Sequence, residues 1–230
     1  MNCKLCLENR NIKNSHIIPE FFYASLYDEK HRLEVLSLGE DLSKNPIQKG
    51  LRERLLCGDC ETKLSSWERY VSLIMNGGIT LNISSEGNIL SFKEINYEKI
   101  KLFQLSIIWR ASISRNNFFS SVNLGKHEEI IRKLLLKEEA CHHGYYPCFM
   151  YALQYKNESI VDLISAPIRI RFHGHNAYRF VFGGIVWTYL VTSHLIDATL
   201  LQGALNNHEM CVLKKDIREL KDMVDFATKL

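Results

Sequence analysis

Two short cysteine pairs carry the most specific chemistry in this chain. Cys3-Lys4-Leu5-Cys6 stands at the N-terminus, and Cys57-Gly58-Asp59-Cys60 follows after 50 intervening residues. Two residues between cysteines let one tight turn aim both sulfurs at a single ion, and four thiolates complete a tetrahedral zinc shell. Structural zinc held by Cys3, Cys6, Cys57 and Cys60 is therefore the expected cofactor, against four ordinary buried thiols or a disulfide pair. Glu61 and Glu68 lie seven apart, two turns on one face of the helix expected after Cys60, with Glu53 just ahead of the second pair. They either complete a Mg²⁺ site with His16 or form a solvated face whose Glu61 favours the helix N-terminus. Cys141-His142-His143 with Cys148 matches no standard ligand spacing and reads as surface histidines beside a buried cysteine. Cys211 reads as core. Alternation in Ile168-Arg169-Ile170-Arg171-Phe172-His173 puts Arg169, Arg171 and His173 on one strand face, suited to phosphate contacts or simply half exposed.

The elements that must position these groups follow from periodicity. Leu64, Trp67, Val71 and Met75 fall on one face of a helix opened by the second cysteine pair. Pro19 suits the first turn of a helix reaching about Tyr27, and residues 32–38 alternate as a short strand before a polar turn over 39–45. A hairpin is expected over 79–83 and 89–92, closing around Ser84 to Asn88. Residues 96–115 predict a largely buried helix, with Leu102, Leu105, Trp109 and Ile113 on one face. Residues 128–139 predict another helix, with Ile130, Ile131, Leu134 and Leu135 inward. Strands are expected at 148–155, 160–164, 167–173, 177–183, 185–192 and 209–214, and a closing amphipathic helix at 216–227. The expected fold class is α+β: a zinc module over residues 1–75, then a helical and mostly antiparallel β domain over 76–230.

Composition narrows the class only loosely. The 230 residues are 46% hydrophobic and 24% charged, ample for a core, and the net charge is +3. The first 70 residues carry 11 basic and 11 acidic side chains, so the zinc region is not globally basic. Seven cysteines, four in zinc-like pairs, fit a reducing compartment. An N-terminus opening on a cysteine pair lacks the pattern of a secretory leader, so a cytoplasmic location is expected. Phe180 to Leu201 is the most apolar window, but His194 and Asp197 inside it argue for buried strands and against membrane insertion.

Cys-x-x-Cys, then Ser15-His16-Ile17-Ile18-Pro19, then Leu55-Leu56-Cys57-x-x-Cys60-Glu61-x-Lys63 resembles the zinc-containing branch of the His-Asn-His (HNH) endonucleases. It is also similar to uncharacterised bacterial proteins with Ser-His-Ile-Ile-Pro, Gln-x-Gly-x-x-Glu and Leu-Cys-x-x-Cys-Glu. The resemblance covers residues 1 to about 75. It implies a treble-clef fold of ββα-metal type, with zinc structural and Mg²⁺ or Mn²⁺ as the catalytic cofactor. It also implies His16 as the base that activates water against a phosphodiester of DNA or RNA. Ser15 stands where many members carry a metal-binding aspartate, and Glu61 where an asparagine is usual; Glu61, with Asp59 or Glu68 nearby, is then the expected catalytic carboxylate. The alternative is a non-catalytic zinc protein that docks nucleic acid or another protein, such as a component of a bacterial defence assembly.

Overall fold

The computed structural model describes residues 1–27, 32–33, 47–48, 50–192 and 194–220. The chain opens on a tight knuckle: the Leu7 N–H closes on the Cys3 carbonyl at 2.9 Å, and the Cys3 N–H reaches the Glu8 carbonyl at 2.9 Å. Strand β1 (Ile12–His16) then pairs antiparallel with β4 (Arg52–Cys57), from the Ile12 and Cys57 pair to the His16 and Arg52 pair. Between them lie two 3₁₀ turns, Glu20–Phe22 and Ala24–Leu26, and a two-residue ladder of β2 (Arg32–Leu33) with β3 (Ile47–Gln48). β4 runs directly into helix α1 (Gly58–Met75), with Cys57 as its extended N-cap residue and Asp59 and Glu61 in its first turn. Its buried residues Cys60, Leu64, Trp67 and Val71 follow the spacing of one helix face.

Helix α2 (Tyr97–Ile113) is the centre of the molecule. The Asn96 side chain caps it by accepting from the Lys99 N–H at 2.9 Å. It is buried on every side, against α1, α3 (Lys126–Lys137) and the sheet, which is why its apolar residues exceed one stripe. The main sheet has eight strands: β5 (Asn82–Glu86), β6 (Ile89–Lys93), β12 (Glu209–Asp216), β7 (Cys148–Tyr155), β11 (Ile185–Leu190), β10 (His175–Phe182) and β9 (Ser165–Phe172) in spatial order, with β8 (Glu158–Ser159) paired to β7. Every pairing is antiparallel except β12 with β7, so the molecule is mixed α and β around a mostly antiparallel sheet. A short helix α4 (Ala198–Leu201) is capped by Asp197. Among the described residues no helix is long and apolar enough to cross a membrane, and 185–190 is a strand.

Several expected elements differ. The single helix from Pro19 to Tyr27 is instead the two 3₁₀ turns, because packing of the Phe21-Phe22-Tyr23 run overrides helical propensity. The Phe22 ring sits 4.8 Å from that of Phe182 and 6.3 Å from that of Phe103, centroid to centroid. Gly183 leaves room for it, since a Cβ there would come within 2.3 Å of the ring. Residues 160–164 form no strand: Lys156 and Asn157, both at positive φ, make a tight turn, Glu158 and Ser159 pair back on β7, and the Ile160 N–H bonds the Leu153 carbonyl before the ladder ends. In α3, Ile131 and Leu135 are buried but Ile130 is 43% exposed. The hairpin begins at Asn82, later than expected. Of the closing helix only a 3₁₀ turn, Ile217–Glu219, is described; the rest of that expectation, like most of the strand and turn over 32–45, lies outside the described residues.

Trp109 is fully buried at the middle of α2. Trp109→Ala should destabilise the protein by about 3–5 kcal/mol, as large aromatic truncations in cores do, measurable as a lowered midpoint in urea unfolding.

Candidate metal centre and the histidine beside it

The β1–β4 ladder brings the two cysteine pairs together. The ligand atoms of Cys3, Cys6, Cys57 and Cys60 all lie within 4.8 Å of one another, and Cys6 Sγ is 3.9 Å from Cys57 Sγ. Four sulfurs at a Zn–S distance of about 2.3 Å in a tetrahedron stand about 3.8 Å apart, so the set fits zinc. The Cys57 N–H donates to Cys3 Sγ at 3.3 Å, the kind of support that favours a thiolate. Burial works against ionisation at Cys3, yet N–H donors from Cys6, Cys57 and Leu5 bring its thiol below the ordinary value. Burial and the surrounding sulfurs push the Cys60 thiol up. Four neighbouring thiolates repel one another, and a divalent cation is what makes four compatible. Two contacts from outside the pairs brace the knuckle and α1: Arg132 Nη1 of α3 donates to the Leu5 carbonyl at 2.5 Å, and Lys63 Nζ donates to the Leu136 carbonyl at 2.7 Å.

The last two residues of β1 meet different surroundings. Ser15, fully buried, donates its hydroxyl to Glu61 Oε1 and accepts from the Leu56 N–H at 3.2 Å. Burial raises the Glu61 pKa, Ser15 and Arg110 pull it back, and Glu68 adds to the rise. His16, with its side chain 21% exposed, touches Glu20 Oε2 through Nε2, the same nitrogen at which the Arg52 Nε–H points as a donor, at 2.6 Å. Its carbonyl accepts from Arg110 Nη1 at 2.6 Å. Arg110 Nη2 also forms an ion pair with Oε1 of the half-buried Glu68 at 2.7 Å.

The direct partners thus differ from those expected. The carboxylate touching His16 is Glu20; Glu61 is joined to Ser15, Glu68 to Arg110, and Asp59 to Arg10 at 2.5 Å. Glu53 accepts from the Ser114 hydroxyl and the Arg115 N–H, tying β4 to the end of α2. Among the described residues, the four cysteines are the one set of three or more side chains placed to share a metal. Arg169 and Arg171 are exposed on the edge strand β9, bonded to Asn176 and to the Gly174 carbonyl. His173 lies beyond that strand, in the turn at φ +46°, so the expected three-residue face holds only the two arginines. His142 accepts from the Gly144 N–H, and Cys148 and Cys211 are core thiols. Sequence reasoning missed Glu20, Arg52 and Arg110. Glu20 had a signal in its place four residues after His16; Arg110, across 94 positions, had none.

Comparison of the chain with protein-family models, with curated proteins and with solved structures finds no match in any of the three.

The purified protein should carry one zinc per chain, and Cys57→Ser should release it and unfold the knuckle, because metal binding here is folding free energy. Elemental analysis and circular dichroism check both. Burial and the Arg52 charge lower the His16 pKa against the opposing pull of Glu20 and Glu68. The unfolded chain, titrating near pH 6.5, therefore takes up the proton first. Stability from this group is present above that pH and lost as pH falls toward the lower folded value. His16→Gln should flatten the fall in Tm between about pH 7 and pH 5.

Proposed function

We propose that the chain is a zinc-stabilised, HNH-like protein that hydrolyses phosphodiesters in DNA or RNA, with His16 as general base. In this reading the knuckle, the β1–β4 ladder and α1 form a treble clef of ββα-metal type over residues 1–75. Residues 76–230 form an α+β domain that supplies substrate or partner contacts. The observation carrying it is the placing of His16: at the end of a strand pinned by the cysteine cluster, partly exposed, and holding its proton weakly enough to be neutral at pH 7. A base must be unprotonated, reachable and fixed, and His16 has all three properties.

Glu61 serves as the carboxylate for a hard cation: Ser15 holds Oε1, and Oε2 has no hydrogen-bond partner among the described residues. Mg²⁺ commonly keeps its waters and takes one or two carboxylates plus substrate phosphate, so one carboxylate is chemically sufficient. Such an ion, when bound, supplies positive charge beside the phosphate. Arg169, Arg171 and His173 are proposed as outlying backbone contacts, which raise affinity without reading sequence.

One observation favours a second reading, a zinc protein that docks nucleic acid or a protein partner, as in a bacterial defence assembly, without cutting. The Ser15 and Glu61 side chains satisfy each other, an arrangement that a purely structural role also explains.

Labelled single-stranded and duplex DNA and RNA, incubated with Mg²⁺, Mn²⁺ or chelator, separate the two. Cleavage should need one of these ions, His16→Ala should lose on the order of 10²–10⁴-fold in rate with zinc retained, and Glu61→Gln should weaken metal activation while leaving stability nearly unchanged. Retained binding by fluorescence anisotropy with no wild-type cleavage under any ion would establish the second reading.

A further inference from the structure

The two ring nitrogens of His16 have different surroundings. Nε2 touches Oε2 of Glu20, and the Arg52 Nε–H also points at it as a donor, at 2.6 Å. Nδ1 has no partner among the described residues. Glu20 is itself anchored: the Tyr27 hydroxyl donates to Oε1 at 2.7 Å, and Arg52 Nη2 lies 3.4 Å from Oε2. Gly50, at φ +62°, keeps this corner open, since a Cβ there would come 3.3 Å from Oε2 of Glu20 and 3.0 Å from the Tyr23 ring.

Both Nε2 contacts cannot be hydrogen bonds at once. Nε2 carries either a proton to give to the carboxylate or a lone pair to accept from the guanidinium. A carboxylate against a lone pair is repulsive, and against an N–H it makes a charge-assisted bond, the stronger of the two options. With Nε2 protonated, the Arg52 Nε–H gives up its bond to that nitrogen and turns aside, while Arg52 keeps its attraction to Glu20 through Nη2.

We infer that Glu20 is the positioning residue of His16, its carboxylate holding the Nε2–H tautomer so that Nδ1 presents the lone pair that accepts a proton. This rests on the general-base reading above and adds to it the residue that sets the base's orientation. In the reaction a water O–H bond breaks and an Nδ1–H bond forms, while the water's electron pair makes the new P–O bond. The bond to the leaving oxygen breaks, and that oxygen takes a proton from solvent. His16 becomes an imidazolium whose Nε2–H already faces Glu20, as the third member of a nucleophile–base–carboxylate triad does. The charged and titratable groups around His16 are Glu20 and Tyr27 from the 3₁₀ segment, Arg52 from β4, Glu68 from α1 and Arg110 from α2.

The test is the tautomer of His16, read by ¹⁵N NMR of the full-length, zinc-loaded protein with the resonance assigned through His16→Gln. The wild type should show Nε2–H. In Glu20→Ala, Arg52 becomes the only partner of Nε2 and should switch the ring to Nδ1–H, taking away the basic lone pair. Cleavage should then fall by about 10-fold or more, and Glu20→Asp should restore part of both signals. A wild-type Nδ1–H tautomer, or cleavage that Glu20→Ala leaves unchanged, overturns the inference whatever the substrate. An Nε2–H wild type whose tautomer switches in Glu20→Ala but which cleaves no nucleic acid sustains the hold of Glu20 on the ring and overturns the catalytic reading alone.

Discussion

A guanidinium that is 1% exposed must be paired, because an isolated buried charge costs more than any packing around it returns. Arg110 meets that constraint with four partners from three elements. It donates to the His16 carbonyl on β1 and pairs with Glu68 on α1. It also bonds to the Ser106 carbonyl and hydroxyl one turn back on its own helix. The strand that ends in His16 is thereby fixed to the two central helices at the point where its side chain turns outward. Removing any one partner would leave a charge or a carbonyl unsatisfied, so the position of His16 is bound to the stability of the core.

The cysteine cluster meets a different constraint. Fifty residues separate the pairs, and closing so long an excursion costs chain entropy that grows slowly with length. The β1–β4 ladder bears that cost, and a metal ion held by the four cysteines would share it. Cys3, Cys57 and Cys60 belong to the same apolar cluster as Trp109 on α2 and Trp187 on β11. Arg132 reaches the knuckle from α3, and Phe22 fills the space Gly183 leaves beside the sheet. The surroundings of the cluster are therefore built by residues far along the chain.

Local chemistry made part of this legible in the sequence. The Cys-x-x-Cys spacing predicts four sulfurs that do converge, and the apolar period of α1 and α2 gives both helices within a few residues. Strands β7 and β9 to β12 read correctly because alternation and turn residues are local signals. The failures share a cause. The helix from Pro19 was lost to rings that pack against β10 and β11, more than 150 positions away. Helical spacing points to Glu61 and Glu68 and says nothing of Arg52, which the β1–β4 register sets opposite His16. Gly50 has no period to betray it; its reason is the space that Tyr23 and Glu20 need.

The Ser15–Glu61 pair is where the two functional readings part, and charge decides what it can do. An aspartate in place of Ser15 would face Glu61 as a second anion, and like charges at that separation cannot both stay ionised without a cation between them. Serine removes the repulsion and donates a hydrogen bond, so Glu61 keeps its position whether or not an ion is present. The cost is weaker attraction for a hard cation, since one carboxylate replaces two. That trade suits a site in which substrate phosphate brings much of the missing negative charge and the ion arrives with it. In such a site the ion's affinity depends on what is bound, and the protein's own share is the one carboxylate that Ser15 orients.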